Sequence, residues 1–164
     1  MTFGLGFSWV GLLFSAAMFA PSLLLLGWPP VDAAPSLPAP PPRWVIALEG
    51  VGRVTCLVIP VITTSFAGQV DVWFALATGC YGVYLGLWGR YLARGRCEAM
   101  LVRAWAGVPI PLAVFPVLTF ASAAAWARSP ALAVATGALA VGHLTGSWIR
   151  SRGWAALRSA GSAS

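Results

Sequence analysis

Lysine is absent, and all ten basic residues of the 164-residue chain are arginine. The sequence has only four acidic residues and one histidine, so charged residues reach 9%. A water-soluble surface normally needs about a quarter of the chain to be charged, which places this sequence outside the soluble globular class. Cysteine is equally scarce. Cys56, Cys80 and Cys97 show no CxxC spacing, which excludes a disulfide framework and a zinc site and leaves them as small buried hydrophobes. No GxSxG, HExxH, acidic metal cluster or nucleotide loop occurs, so no cofactor and no metal is expected.

What is abundant is apolar. Hydrophobic residues make up 59% of the chain, and the mean hydropathy is +0.83. A hydrocarbon core about 30 Å thick takes roughly 20 apolar residues per helix, and several such runs follow one another here. The fold class is therefore an all-α integral membrane bundle. The net charge of +6 does not point to nucleic acid, because the arginines sit between hydrophobic runs, where positive charge sets orientation. Exclusive use of arginine suggests a GC-rich bacterial genome.

Hydropathy windows give five candidate spans: Phe3 to Trp28, Trp44 to Phe66, Val72 to Leu92, Ala106 to Trp126, and Pro130 to Ile149. A four-span alternative lays the first segment in the interface. The N-terminal run is too long for a signal sequence and lacks its basic start. Residues 29–43 form a proline-rich linker of extended character, separating the first helix (1–28) from a four-helix unit (44–149) and a basic tail (150–164). The short break "AGQVD" predicts that spans two and three are antiparallel neighbours. Arg90, Arg94, Arg96 and Arg103 mark the third break as cytoplasmic, with Arg43, Arg150, Arg152 and Arg158 on the same side and Arg128 alone opposite. This predicts the bacterial inner membrane, with the N-terminus outside and the C-terminus in the cytoplasm.

The second span carries charges. At 100° per residue Glu49, Gly52, Arg53, Cys56, Pro60 and Thr63 share one face, and Glu49 and Arg53 stand at the i, i+4 spacing that lets them pair. Arg53 lies about 13 to 14 Å into the span, near the midplane, where an arginine costs about 2.5 to 3.5 kcal/mol unless it faces the interior. In the fifth span Thr136, Ala140, His143 and Ser147 share a face, with Gly137, Gly142 and Gly146 nearby to admit another backbone. His143 is about 10 Å from Arg150, a depth similar to that of Glu49. Glu49, Arg53 and His143 are thus the candidate intramembrane polar site, with either a functional or a packing role. An imidazole beside a carboxylate is a proton relay in the first case.

In the third span Ala75, Gly79, Gly82, Gly86 and Gly89 form a small-residue stripe suited to helix contact, opposite Tyr81, Tyr84, Trp88 and Tyr91. The aromatics are read as an interfacial belt or packing rather than as ligand contacts. Candidate pocket-lining residues are Cys56, Tyr81, Tyr84, Thr136 and Ser147. In the fourth span Pro109 and Pro111 fall near the first turn, and Pro116 lies deeper.

The stretches "LEGVGR", "YLGLWGRYLARGR", "VPIPLAVFPVLTF" and "GHLTGS", about a third of the chain, together resemble a group of small, uncharacterised bacterial polytopic membrane proteins. The resemblance implies an inner-membrane placement and no catalytic residues. Three functions compete on these observations. The first is a carrier or channel-like protein, working as a homo-oligomer around the Glu49, Arg53 and His143 site. The second is an accessory or structural subunit of a larger membrane complex. The third is a lipid-modifying membrane enzyme using Glu49 or His143 as acid or base.

Overall fold

In the computed structural model, residues 4–32, 40–64 and 70–161 are described. Among them the chain is helical, apart from turns and two isolated bridge pairs, Leu5 with Thr63 and Trp105 with Val108. The helices are α1 Trp9–Gly27, α2 Arg43–Ile62, α3 Val72–Ala93, α4 Glu98–Val102, α5 Pro111–Trp126 and α6 Pro130–Gly161. Four of them, α1, α2, α3 and α6, are long and apolar enough to cross a membrane. The protein is a polytopic helical membrane bundle. Helix α5 is apolar but has only 16 residues, a rise of about 24 Å against a core of about 30 Å.

Local chemistry moves the helix ends from their expected positions. The first helix starts at Trp9 rather than Phe3 because Ser8 caps it, its Oγ accepting the Gly11 N–H at 3.0 Å. The extended residues before it pair with the end of α2, Gly6 N–H donating to the Ile62 carbonyl (3.0 Å) and Ser8 N–H to that of Val61 (2.8 Å). They satisfy carbonyls that a helix end leaves open, and α2 stops at Ile62 instead of Phe66, which lies outside the described residues. Helix α5 starts at Pro111, not Ala106. Ala106, Gly107 and Ile110 all have positive φ (50°, 78° and 45°), and Trp105 and Val108 exchange backbone hydrogen bonds across the resulting turn. Pro109 thus precedes the helix and Pro111 opens it, where a missing N–H costs nothing. At the other end of the chain α6 continues through Gly161, so residues 150–161 extend that helix instead of forming a separate tail.

The helices close into a ring in which α1 packs on α2, α2 on α6, α6 on α5 and α5 on α3, with α3 lightly touching α1. The expected α2–α3 neighbours are therefore not a principal packing pair. What draws α2 to α6 instead is glycine. A Cβ on Gly52 would collide with the backbone of Leu139, and one on Gly142 with the backbone N and Cα of Glu49. Close backbone approach of this kind drives helix association in lipid, where apolar burial gives no advantage. Gly11 meets the Pro60 carbonyl in the same way, and the Ser15 hydroxyl donates to the Leu57 carbonyl at 2.7 Å.

Helix α3 is oriented opposite to the stripe-in expectation. Nothing lies within 4 Å of a Cβ placed on Gly79, Gly82, Gly86 or Gly89, whereas Tyr84, Trp88 and Tyr91 are buried. Large rings fill the wide centre of a five-helix ring better than glycine does. Trp88 meets Tyr84 and Tyr91 edge to face, with centroids 6.3 and 5.6 Å apart. The Tyr91 hydroxyl also donates to the Trp28 carbonyl at 3.0 Å, tying the end of α1 to the end of α3. Tyr91→Phe is expected to cost about 0.5 to 1.5 kcal/mol in thermal unfolding. An unchanged melting profile in detergent would mean that this bond does not hold α1 to α3.

Candidate functional site

The antiparallel helices bring Arg43, Arg90, Arg94, Arg96, Arg103, Arg150 and Arg152 to one end of the bundle and leave Arg128 near the other. Just inside the arginine-rich end, all six helices contribute to a cavity of about 450 Å³. Glu49 and Arg53 come from α2, His143, Ser147 and Arg150 from α6, and Tyr84 and Trp88 from α3. Ser22 and Leu25 of α1, Leu112 and Ala113 of α5, and Leu101 and Val102 of α4 complete the lining.

Two groups converge on one carboxylate oxygen. Arg53 donates to Glu49 Oε1 at 2.6 Å, and His143 Nδ1 lies 2.9 Å from that same oxygen. The first contact follows from the i, i+4 spacing on α2. The second depends on Gly142, because only a glycine there lets α6 approach close enough for its neighbour His143 to reach across. With Glu49 ionised, the imidazole donates from Nδ1 and leaves Nε2 as its basic nitrogen. Glu49 and His143 side chains are 16% and 18% exposed, against 45% for Arg53, so the acid and the imidazole are the sheltered partners.

Sequence periodicity passed over the role of Arg150, which it treated only as an orientation signal. His143, Ser147 and Arg150 are spaced 4 and 3 apart and so share one face of α6. The Arg150 guanidinium donates to Ser147 Oγ at 3.3 Å, and both Arg150 and Glu49 Oε2 approach the bare backbone of Gly146. Trp88 supplies a further group of different character. Its Nε1 is buried and has no hydrogen-bond partner among the described residues.

Of the candidate lining residues, Tyr84 and Ser147 face this cavity. Cys56 and Thr136 do not, although Thr136 lines a separate, more open groove between α5 and α6. They meet where α2 packs on α6, Sγ to Oγ1 at 3.8 Å, and the Thr136 hydroxyl donates to the Leu132 carbonyl at 2.7 Å. Cys56 is seven residues beyond Glu49, about 10 Å deeper, so a shared helix face placed it on a tightly packed level of the same interface. Tyr81 lines a second, apolar cavity of about 110 Å³ with Phe14, Met18, Phe74, Thr119 and Trp126, and its hydroxyl donates to the Ala17 carbonyl at 2.8 Å. No group of three or more His, Cys, Asp or Glu side chains arranged to hold a metal occurs among the described residues.

Comparison with known proteins gives no match to a family model, to a curated protein or to a solved structure. The functional reading rests on the site alone.

Proposed function

We propose that this protein is a small carrier of the bacterial inner membrane that holds a polar solute in the Glu49, Arg53 and His143 cavity. One observation carries the reading: a solute-sized, charge-lined and partly open cavity is built by a bundle whose long helices are apolar enough to span a membrane. Ionisable residues at such depth are costly and mark pathways for ions, protons or polar groups more often than they mark packing alone. The Glu49–His143 hydrogen bond supplies a proton-exchanging pair in direct contact with the space. The positive-inside rule places the cavity end in the cytoplasm, with the start of α1 outside and the end of α6 inside.

Two measurements test this. Cys97 lies in the arginine-rich loop and Cys56 is fully buried. A membrane-impermeant maleimide is therefore expected to label Cys97 in inside-out vesicles and not in right-side-out ones, with Cys56 unreactive in both. The opposite sidedness would reverse the orientation. Proteoliposomes loaded with inorganic phosphate, glutamate or choline, or with a pH-sensitive dye for protons, are expected to release at least one of these faster than protein-free vesicles. If none moves and none binds to the folded protein, the carrier reading fails.

Assembly into a larger complex or homo-oligomer is favoured by a separate observation, the exposed stripe of Gly79, Gly82, Gly86 and Gly89 with no neighbour on it. Native mass spectrometry from the host membrane distinguishes the cases. A foreign subunit at fixed stoichiometry makes the protein an accessory subunit, a multiple of 17.1 kDa makes it a homo-oligomer, and a monomer excludes both.

A further inference from the structure

Donors greatly outnumber acceptors in the arginine-rich cavity, and this selects the chemistry of the ligand. Arg53 from α2 and Arg150 from α6 bring two positive charges to it, and Glu49 brings one negative charge, an excess of +1 before His143 is counted. Each guanidinium has five N–H groups; one NH2 of Arg53 donates to Glu49 and one of Arg150 to Ser147. The Tyr84 hydroxyl, which neighbours Ser22 and Trp88, and the buried Trp88 Nε1–H add neutral donors on the α3 side. A buried indole N–H without an acceptor is uncommon, and a bound acceptor is one way to satisfy it. Guanidinium groups from two helices with neutral donors on a third, all lining one cavity, suit a tetrahedral oxyanion, whose several oxygens can be reached from different directions at once.

We infer that this cavity binds a phosphate group, held between Arg53 and Arg150 with Tyr84 and Trp88 completing its hydrogen bonds. The inference rests on the ligand-binding reading above and names the ligand class. The surroundings also indicate how the rest of the ligand is accommodated. Leu25, Leu101, Val102 and Leu112 make the remaining wall apolar, and the apolar cavity around Tyr81 begins one helical turn away, from Ser22 to Met18 on α1 and from Tyr84 to Tyr81 on α3. An amphiphile with its phosphate at the arginines and its chain against α1 and α3 fits both spaces. The phosphate belongs either to such a lipid or to a small soluble phosphate ester.

The test is binding to the intact protein in a non-ionic detergent, read by native mass spectrometry and thermal shift. The probes are inorganic phosphate, glycerol 3-phosphate and phosphatidylglycerol, with acetate and chloride as controls. One equivalent of a phosphate compound is expected to bind. Retention of phosphatidylglycerol alone identifies a lipid headgroup as the source, and binding of glycerol 3-phosphate or inorganic phosphate identifies a soluble one. Arg53→Gln and Arg150→Gln are each expected to weaken binding at least tenfold. Arg152→Gln removes the same charge from a residue stacked on Trp148 outside the cavity, 5.5 Å from the ring centroid, and is expected to change binding less than twofold. Arg150 lies toward the end of α6, so its variant remains informative if Arg53→Gln does not fold. Three results would overturn the inference: no phosphate compound binding to folded protein, acetate binding equally well, or Arg152→Gln weakening binding as much as Arg150→Gln. Glu49-dependent movement of choline or protons in that situation would leave the carrier reading standing and reject only phosphate.

Discussion

Replacing Gly142 with alanine is expected to destabilise the bundle by about 3 kcal/mol or more, although it adds a single methyl group. Overpacked cores usually lose about 1 to 3 kcal/mol because side chains shift to absorb the strain. Here the methyl would meet the backbone N and Cα of Glu49, and backbone has no rotamer to change. The helices α2 and α6 would have to separate, taking the 2.9 Å contact between His143 and Glu49 with them. The control is on the same helix. Gly137 has nothing within 4 Å of a Cβ, so Gly137→Ala is expected to be neutral or to gain up to about 1 kcal/mol from helix propensity. Thermal unfolding monitored by size-exclusion in detergent reads both. If both variants behave alike, close approach at Gly142 does not hold the site together.

Glu49→Gln is the second large effect, and its value lies in the comparison with a double variant. Removing the carboxylate leaves Arg53 charged without its ion-pair partner, an expected loss of about 2 to 3 kcal/mol at this depth. Glu49→Gln combined with Arg53→Gln removes that unpaired charge and puts two neutral amides at the same i, i+4 spacing. Stability is expected to return to within about 1 kcal/mol of the original, since only the Glu49 side of this pair is sheltered and replacing both members leaves no unpaired charge. The double-mutant cycle gives the coupling energy directly. A double variant no more stable than Glu49→Gln alone would mean that His143 and Arg150, rather than Arg53, set the stability contributed by the carboxylate.

How far these features were legible in the sequence depends on the residue. The class of fold follows from the scarcity of charge and the length of the apolar runs, both dictated by lipid as solvent. The pairing of Glu49 with Arg53 follows from spacing within one helix. Its contact with His143 required two helices to be neighbours, and the advance signs of that were the glycines around His143 and its depth, similar to that of Glu49. Periodicity gives the face of a helix but not its direction within the ring. Hence the glycine stripe of α3, expected to meet a helix, faces outward, while its aromatic face fills the centre. Depth was harder again. Cys56 and Thr136 share faces with Glu49 and His143, yet stand on a level where the two helices leave no space. Arg150 was hidden by its own type, because an arginine at a span end has a sufficient explanation in membrane orientation.

The central claim is that the Glu49, Arg53 and His143 cluster serves a passing ligand and is not a packing device alone. Solute release from proteoliposomes carrying the Glu49→Gln and Arg53→Gln double variant tests it most directly, because the variant is expected to keep the fold while changing the chemistry of the cavity. The expected result is a melting profile close to the original protein's, with release reduced to the level of protein-free vesicles. Release at the original rate from a folded double variant would contradict it and leave the cluster as a helix-packing element.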